Sequence, residues 1–181
     1  LPHFNLCLQF DFQVISYEDV KINIFLQPHT ERNYMKLEDL PVGSAPNPIP
    51  YPHFPARWQA FVWRNWEMVP PRKIAEVLGC SETEILNAAV EMGLTGTPDV
   101  PEKWLSHGYL TLIRNNWQLL NYGQLLILLD WKPEKMAYTL KEEDFFWAKL
   151  GRLKPECAPL HYSPLTPAER AATVRQLDGG R

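Results

Sequence analysis

The chain predicts an α+β protein that is mainly α, with a small N-terminal β-hairpin followed by a tandem repeat of three-helix, helix-turn-helix-like units. Two observations carry that expectation. Residues 57–94 recur at a fixed offset of 51, which aligns Trp66 with Trp117, Asn65 with Asn116, Leu78 with Leu129 and Glu91 with Glu142. Apolar positions keep the same register, with Phe61 on Leu112, Val62 on Ile113, Ile74 on Leu125, Val77 on Leu128 and Ile85 on Met136. An ungapped match of this length marks a duplicated supersecondary unit. The second observation is the alternation over 5–14, where Leu6, Leu8, Phe10, Phe12 and Val14 share one face of an extended chain. A period of two is the pattern of a half-buried strand.

In chain order, 1–40 is the β-rich segment. Val20, Ile22, Ile24 and Leu26 repeat the alternation after a polar break at 16–19, so the two runs pair as a hairpin. Such a hairpin serves either as scaffold or as an edge that recruits a partner strand. Residues 41–55 are a connector holding six prolines, extended because proline fixes φ and lacks an amide donor. The connector reads as a covering segment that docks Tyr51 and Phe54 on the helices, or as a Pro-rich ligand for an aromatic groove.

Residues 56–151 form the duplicated helical domain, with repeats at about 57–94 and 108–145. Trp58, Phe61, Val62 and Trp66 lie on one helical face. Pro70 and Pro71 end that helix, and Pro71 suits the first turn of the next, which Gly79 closes. Ser81 with Glu84 is a capping box for a third helix that stops near Gly93, and residues 95–102 are a connecting loop. The second copy repeats the plan, with Tyr109, Leu112, Ile113 and Trp117 on its first helix, 125–129 as its second and Pro133 opening its third. A further helix covers Phe145, Phe146 and Leu150 and closes at Gly151. The stretch 152–181 is an irregular tail with a terminal helix, started by the box Thr166–Glu169 with Pro167 at its first position.

The 181 residues are 45% hydrophobic and 22% charged, ordinary for a globular chain. A net charge of −3 gives no basic excess for nucleic acid or an anionic membrane, and no apolar run reaches the roughly 20 residues of a membrane span. Cys7, Cys80 and Cys157 are odd in number and lack CxxC spacing, which argues against a disulfide framework or a zinc site and fits a reducing, cytoplasmic setting. The chain opens on Leu1 and reads as a piece of something longer, with room for a signal sequence upstream.

The residues bear on three chemistries: nucleic-acid reading, carbohydrate stacking and catalysis. The run 74–86 has the spacing of a helix-turn-helix, and Arg57, Arg64, Arg72, Lys73 and Arg114 would be its basic face on nucleic acid. Its would-be recognition helix, however, carries Glu82, Glu84 and Glu91 and no cation, a surface that repels phosphate. A packing role is therefore favoured over DNA reading. Among the seven tryptophans, Trp66 and Trp117 fall on core positions. Trp63, Trp104 and Trp131 remain as ligand-binding candidates that could stack on sugar rings, against the plainer reading of scattered packing residues. Trp63 aligns with Arg114, so its face is expected to be exposed. Asn65 and Asn116 recur at helix ends and read as structural. No catalytic residue, metal ligand set or cofactor motif is present: His3, His29, His53, His107 and His161 are isolated, and Glu142, Glu143 and Asp144 read as a solvated charge run.

The strings PHFPARWQAFVWRNWEMVP, GYLTLIRNNWQLLNYGQLLILLDW and MAYTLKEEDFFWAKLGRLKPECAPLHY resemble the amino-terminal region of a group of large bacterial proteins. In those proteins a similar double helical repeat precedes a glycoside-hydrolase-like barrel. The resemblance covers about 52–162 and brings no catalytic residues with it. It implies a non-catalytic accessory module whose partners are the other domains of the same parent chain, with any chemistry lying beyond Arg181.

Overall fold

The computed structural model describes residues 35–42, 47–94, 96–101, 103–143, 146–151 and 154–179, all within the unit Met35–Arg181. After a short 3-10 turn at Leu37–Asp39, the regular elements are α1 (Arg57–Asn65), α2 (Pro71–Leu78), α3 (Glu82–Glu91), α4 (Lys103–His107), α5 (Tyr109–Asn116), α6 (Tyr122–Leu129), α7 (Pro133–Glu142), α8 (Phe146–Lys149) and α9 (Pro167–Gly179). No strand occurs among the described residues, so the expected α+β class is corrected to a helical one. The alternating runs that suggested strands lie at 5–26, and the hairpin expected there falls outside the described residues.

Local chemistry sets most helix boundaries. Pro71 and Pro133 stand in the first turns of α2 and α7, where a missing amide costs nothing. Ser81 Oγ accepts from Glu84 N at 3.3 Å while Ser81 N donates to Glu84 Oε2 at 2.8 Å, closing the capping box of α3. Thr166 and Glu169 make the same box for α9. Helices α2 and α6 both end in a left-handed residue, Gly79 at φ 69° and Asp130 at φ 52°. In each, the next amide reaches back five residues, Cys80 to Ala75 O and Trp131 to Leu126 O. The short α4 was not expected, because the run 95–102 and the residues after it lack an apolar period.

The bounds of α6 and α7 repeat those of α2 and α3 at a spacing of 51. Helix α1 packs on α5 and α2 on α6, so corresponding elements meet each other. Their seam holds Phe61, Val62, Ile74, Leu78, Leu112, Ile113, Leu125 and Leu128, nearly all without solvent exposure. Each such side chain contributes about 1.5–3 kcal/mol by leaving water. Trp66 and Trp117 are buried, as expected. At the centre, Asn65 Nδ2 donates to Asn116 Oδ1 at 2.9 Å and Asn116 Nδ2 to Asn65 Oδ1 at 2.8 Å. The second proton of each amide goes to the carbonyl four residues back, Phe61 O and Leu112 O. Every donor of this fully buried pair is thereby satisfied.

The stretch 154–165 has no regular structure but is pinned across both halves. Gln124, buried in α6, donates to Val77 O and Leu160 O and accepts from Leu160 N. Tyr162 N donates to Leu78 O at 3.1 Å. Helix α9 then packs on α3, with Arg170 ion-paired to Glu91 and Gln59 of α1 donating to Thr173 Oγ1.

Candidate functional site

The connector does dock on the helices: Tyr51 and Phe54 pack against the core. Between that connector, α1 and α9 lies a cavity of about 480 Å³, lined by Tyr51, His53, Phe54, Ala60, Trp63, Arg64, Gln176 and Leu177. The volume falls in the range of small-ligand sites. Phe54 and Trp63 meet at 5.6 Å with their planes tilted by 47°, so two faces of an apolar corner are aromatic. Trp63 is 44% exposed, so much of its surface remains open to solvent.

Polar groups stand at the rim. Arg64 Nε donates to Asn115 O at 3.1 Å, which fixes the guanidinium 5.7 Å from the Tyr51 ring centroid. Burial pushes the Tyr51 phenol above its ordinary pKa, against the opposing pull of Arg64 and Arg57, so the hydroxyl stays a hydrogen-bond donor through neutral pH. Among the described residues, no carboxylate lines the cavity. The arrangement can hold a ring-shaped, hydroxyl-bearing ligand by stacking on carbon faces and by bonding at Arg64, His53, Gln176 and Tyr51.

The three tryptophans do not converge. Trp63 lines the cavity, whereas Trp104 is half-buried on α4 against Gly108. Trp131 has the Tyr109 ring at 5.1 Å and the Lys135 ammonium 4.3 Å from its centroid, which occupies its π-face from within the chain.

The five basic residues do not form one free face either. Arg57 donates to Gln118 O and Ile49 O, and Arg64 to Asn115 O. Lys73 is 4% exposed and pairs with Asp130 and Glu76, each at 2.6 Å. Arg72 and Arg114 are exposed on separate helices. Helix α3 buries Ile85, Ala88 and Ala89 and meets α9, and its exposed side carries Glu82, Thr83, Asn87, Val90 and Glu91 with no cation to meet phosphate.

Sequence reasoning found Trp63 and the docked aromatics but not His53, Gln176 or Leu177 as cavity residues. The last two come from a helix more than a hundred positions away, and nothing local marks them. Among the described residues, no group of three His, Cys, Asp or Glu is placed to hold a metal ion, and no helix is long and apolar enough to cross a membrane. Comparison of the chain with protein families, curated proteins and solved structures returned no match.

Proposed function

We propose that this chain is a non-catalytic accessory module of a larger bacterial, carbohydrate-active protein, in which a duplicated three-helix unit acts as a rigid scaffold for the other domains of the same parent chain. The observation that carries the reading is the seam between matching helices, locked by the reciprocal Asn65–Asn116 amide pair. A duplicated unit whose copies bury each other needs no partner to complete its core, which suits a platform. The free thiols of Cys80 and Cys157 fit a reducing bacterial cytoplasm. Deleting residues 35–181 from the parent protein should lower its melting temperature or solubility while leaving hydrolysis of small chromogenic glycosides intact. Loss of the chemical step itself, in a remainder that still folds, would overturn the reading.

A second reading, that the module also binds carbohydrate, is favoured by one observation. The cavity joins the Phe54–Trp63 corner to Arg64, His53 and Gln176, a mixture of stacking surface and hydrogen-bonding groups suited to a sugar ring. Affinity electrophoresis in gels containing neutral or acidic polysaccharides tests it. Retardation that Trp63→Ala abolishes supports the reading, and migration unchanged by every polysaccharide sinks it.

A further inference from the structure

Residues 154–157 set a lysine amine and a cysteine thiol side by side inside the protein. Lys154 is 1% exposed and Cys157 7%. The Nζ lies 3.3 Å from the Sγ and also donates to Trp117 O at 2.7 Å and to Pro155 O at 3.2 Å. The rings of Trp117 and Tyr122 stand 5.2 and 5.9 Å from the same nitrogen. Neither residue lines the cavity.

A buried cation here could cap the carbonyl at the end of α5 as either lysine or arginine. Lysine adds something arginine lacks, a primary amine whose lone pair is released on deprotonation. Burial pulls the Lys154 pKa below its ordinary value, with Cys157 opposing, so the nucleophilic form is reached more readily than on an exposed lysine. The bonds recorded for the thiol are to Lys154 Nζ and, at 3.9 Å, to Trp117 O. An oxidised sulfur at this position therefore meets an amine at once.

We propose that Lys154 and Cys157 are a modification site, closing an S–N sulfenamide cross-link when the protein meets hydrogen peroxide. In the first step the Cys157 sulfur attacks peroxide, the O–O bond breaks, and the thiol becomes a sulfenic acid with release of one water. The sulfur is oxidised by two electrons and the peroxide reduced by two. In the second step the Lys154 nitrogen attacks the sulfur, the S–O bond breaks, and hydroxyl leaves with one amine proton as a second water. The product is Cys157 S–NH–Lys154, with one N–H left to serve Trp117 O. Sulfenic acids are known to condense with nitrogen nucleophiles in this way, and a thiol reductant reverses the bond. The cross-link would tie the stretch 154–157 to itself, beneath the end of α5.

The test uses the full chain carrying Cys7→Ser and Cys80→Ser, so that Cys157 is its only thiol, treated with peroxide and followed by intact mass. The expected product is lighter than the reduced chain by two hydrogens, returns to the starting mass with dithiothreitol, and maps to a link between 154 and 157. Adding Lys154→Arg keeps cationic donors for Trp117 O but removes the amine. Peroxide should then yield a sulfenic acid that dimedone captures, followed by masses raised by added oxygen. A light product that persists in Lys154→Arg overturns the proposal. So does dimedone capture at Cys157 in the Lys154 chain with no light product, and so does a Cys157 that peroxide leaves untouched. The last two outcomes are read on the Lys154 chain alone and decide the matter even where Lys154→Arg does not fold.

Discussion

Substituting Asn116 by leucine probes the seam between α1 and α5 at its centre. The change removes the bonds to Asn65 Oδ1 and Leu112 O and the one received from Asn65 Nδ2. It leaves Asn65, with no solvent exposure, holding one unpaired N–H and one unpaired carbonyl oxygen. Stranding a buried polar group costs about 1–3 kcal/mol, so Asn116→Leu should destabilise the protein by about 3 kcal/mol. That is a large part of the roughly 5–15 kcal/mol that holds a domain folded. Asn65→Leu, its mirror across the seam, should cost a similar amount. The double substitution strands neither amide and adds apolar contact, so it should be no worse than either single change, a coupling of about 3 kcal/mol. Urea unfolding followed by tryptophan fluorescence reads all four proteins. If the two single costs add in the double substitution to within about 0.5 kcal/mol, the pair is not a coupled unit and the reasoning fails.

Other changes test different parts of the fold. At Gly108 a methyl group would sit 2.7 Å from Trp104 O, a backbone atom that cannot swing aside, so Gly108→Ala should cost about 1–3 kcal/mol in the same urea assay. Glu84 and Glu169 are held below the ordinary carboxylate pKa by the amides of Ser81 and Thr166. Their contribution is present above the unfolded-state value of 4.5 and is lost as pH falls through the lower folded-state value, so Glu84→Gln with Glu169→Gln should flatten the fall of melting temperature on acidification. Burial, with Glu84 adding to it, raises the Cys80 thiol from 9.0 to about 11. The unfolded chain then ionises first, stability drains away as pH climbs between those values, and Cys80→Ser should remove that part of the alkaline decline in melting temperature.

Much of the helical part was legible from residues close together in the chain. Pro71, Gly79, the Ser81–Glu84 box, Pro133 and the Thr166–Glu169 box act over three or four positions, and the helices begin and end where they stand. The buried places of Trp66 and Trp117 and the exposed place of Trp63 followed from the 51-residue register. The α+β class did not hold among the described residues, because the alternating runs behind it lie at 5–26 and the regular elements described are all helices. The unexpected α4 folds Trp104 against Gly108, a contact made inside one turn and not by an apolar stripe.

Pairings across the chain could not be read in the same way. Lys73 looked like a free cation on a basic face, yet it is buried and pairs with Glu76 on its own helix and with the exposed, left-handed Asp130, 57 positions on at the end of α6. Asn65 and Asn116 read as separate helix-end amides until α1 and α5 met and turned them toward each other. The cavity needed Gln176 and Leu177 from the last helix, and Lys154 found its carbonyl at the end of α5. By itself, then, the sequence determined where most of the helices run and which of their faces are apolar, since propensity, capping and periodicity act between neighbours. Only the tertiary structure decided which polar groups share the interior, because a buried charge or amide is tolerated only where distant segments bring it a partner.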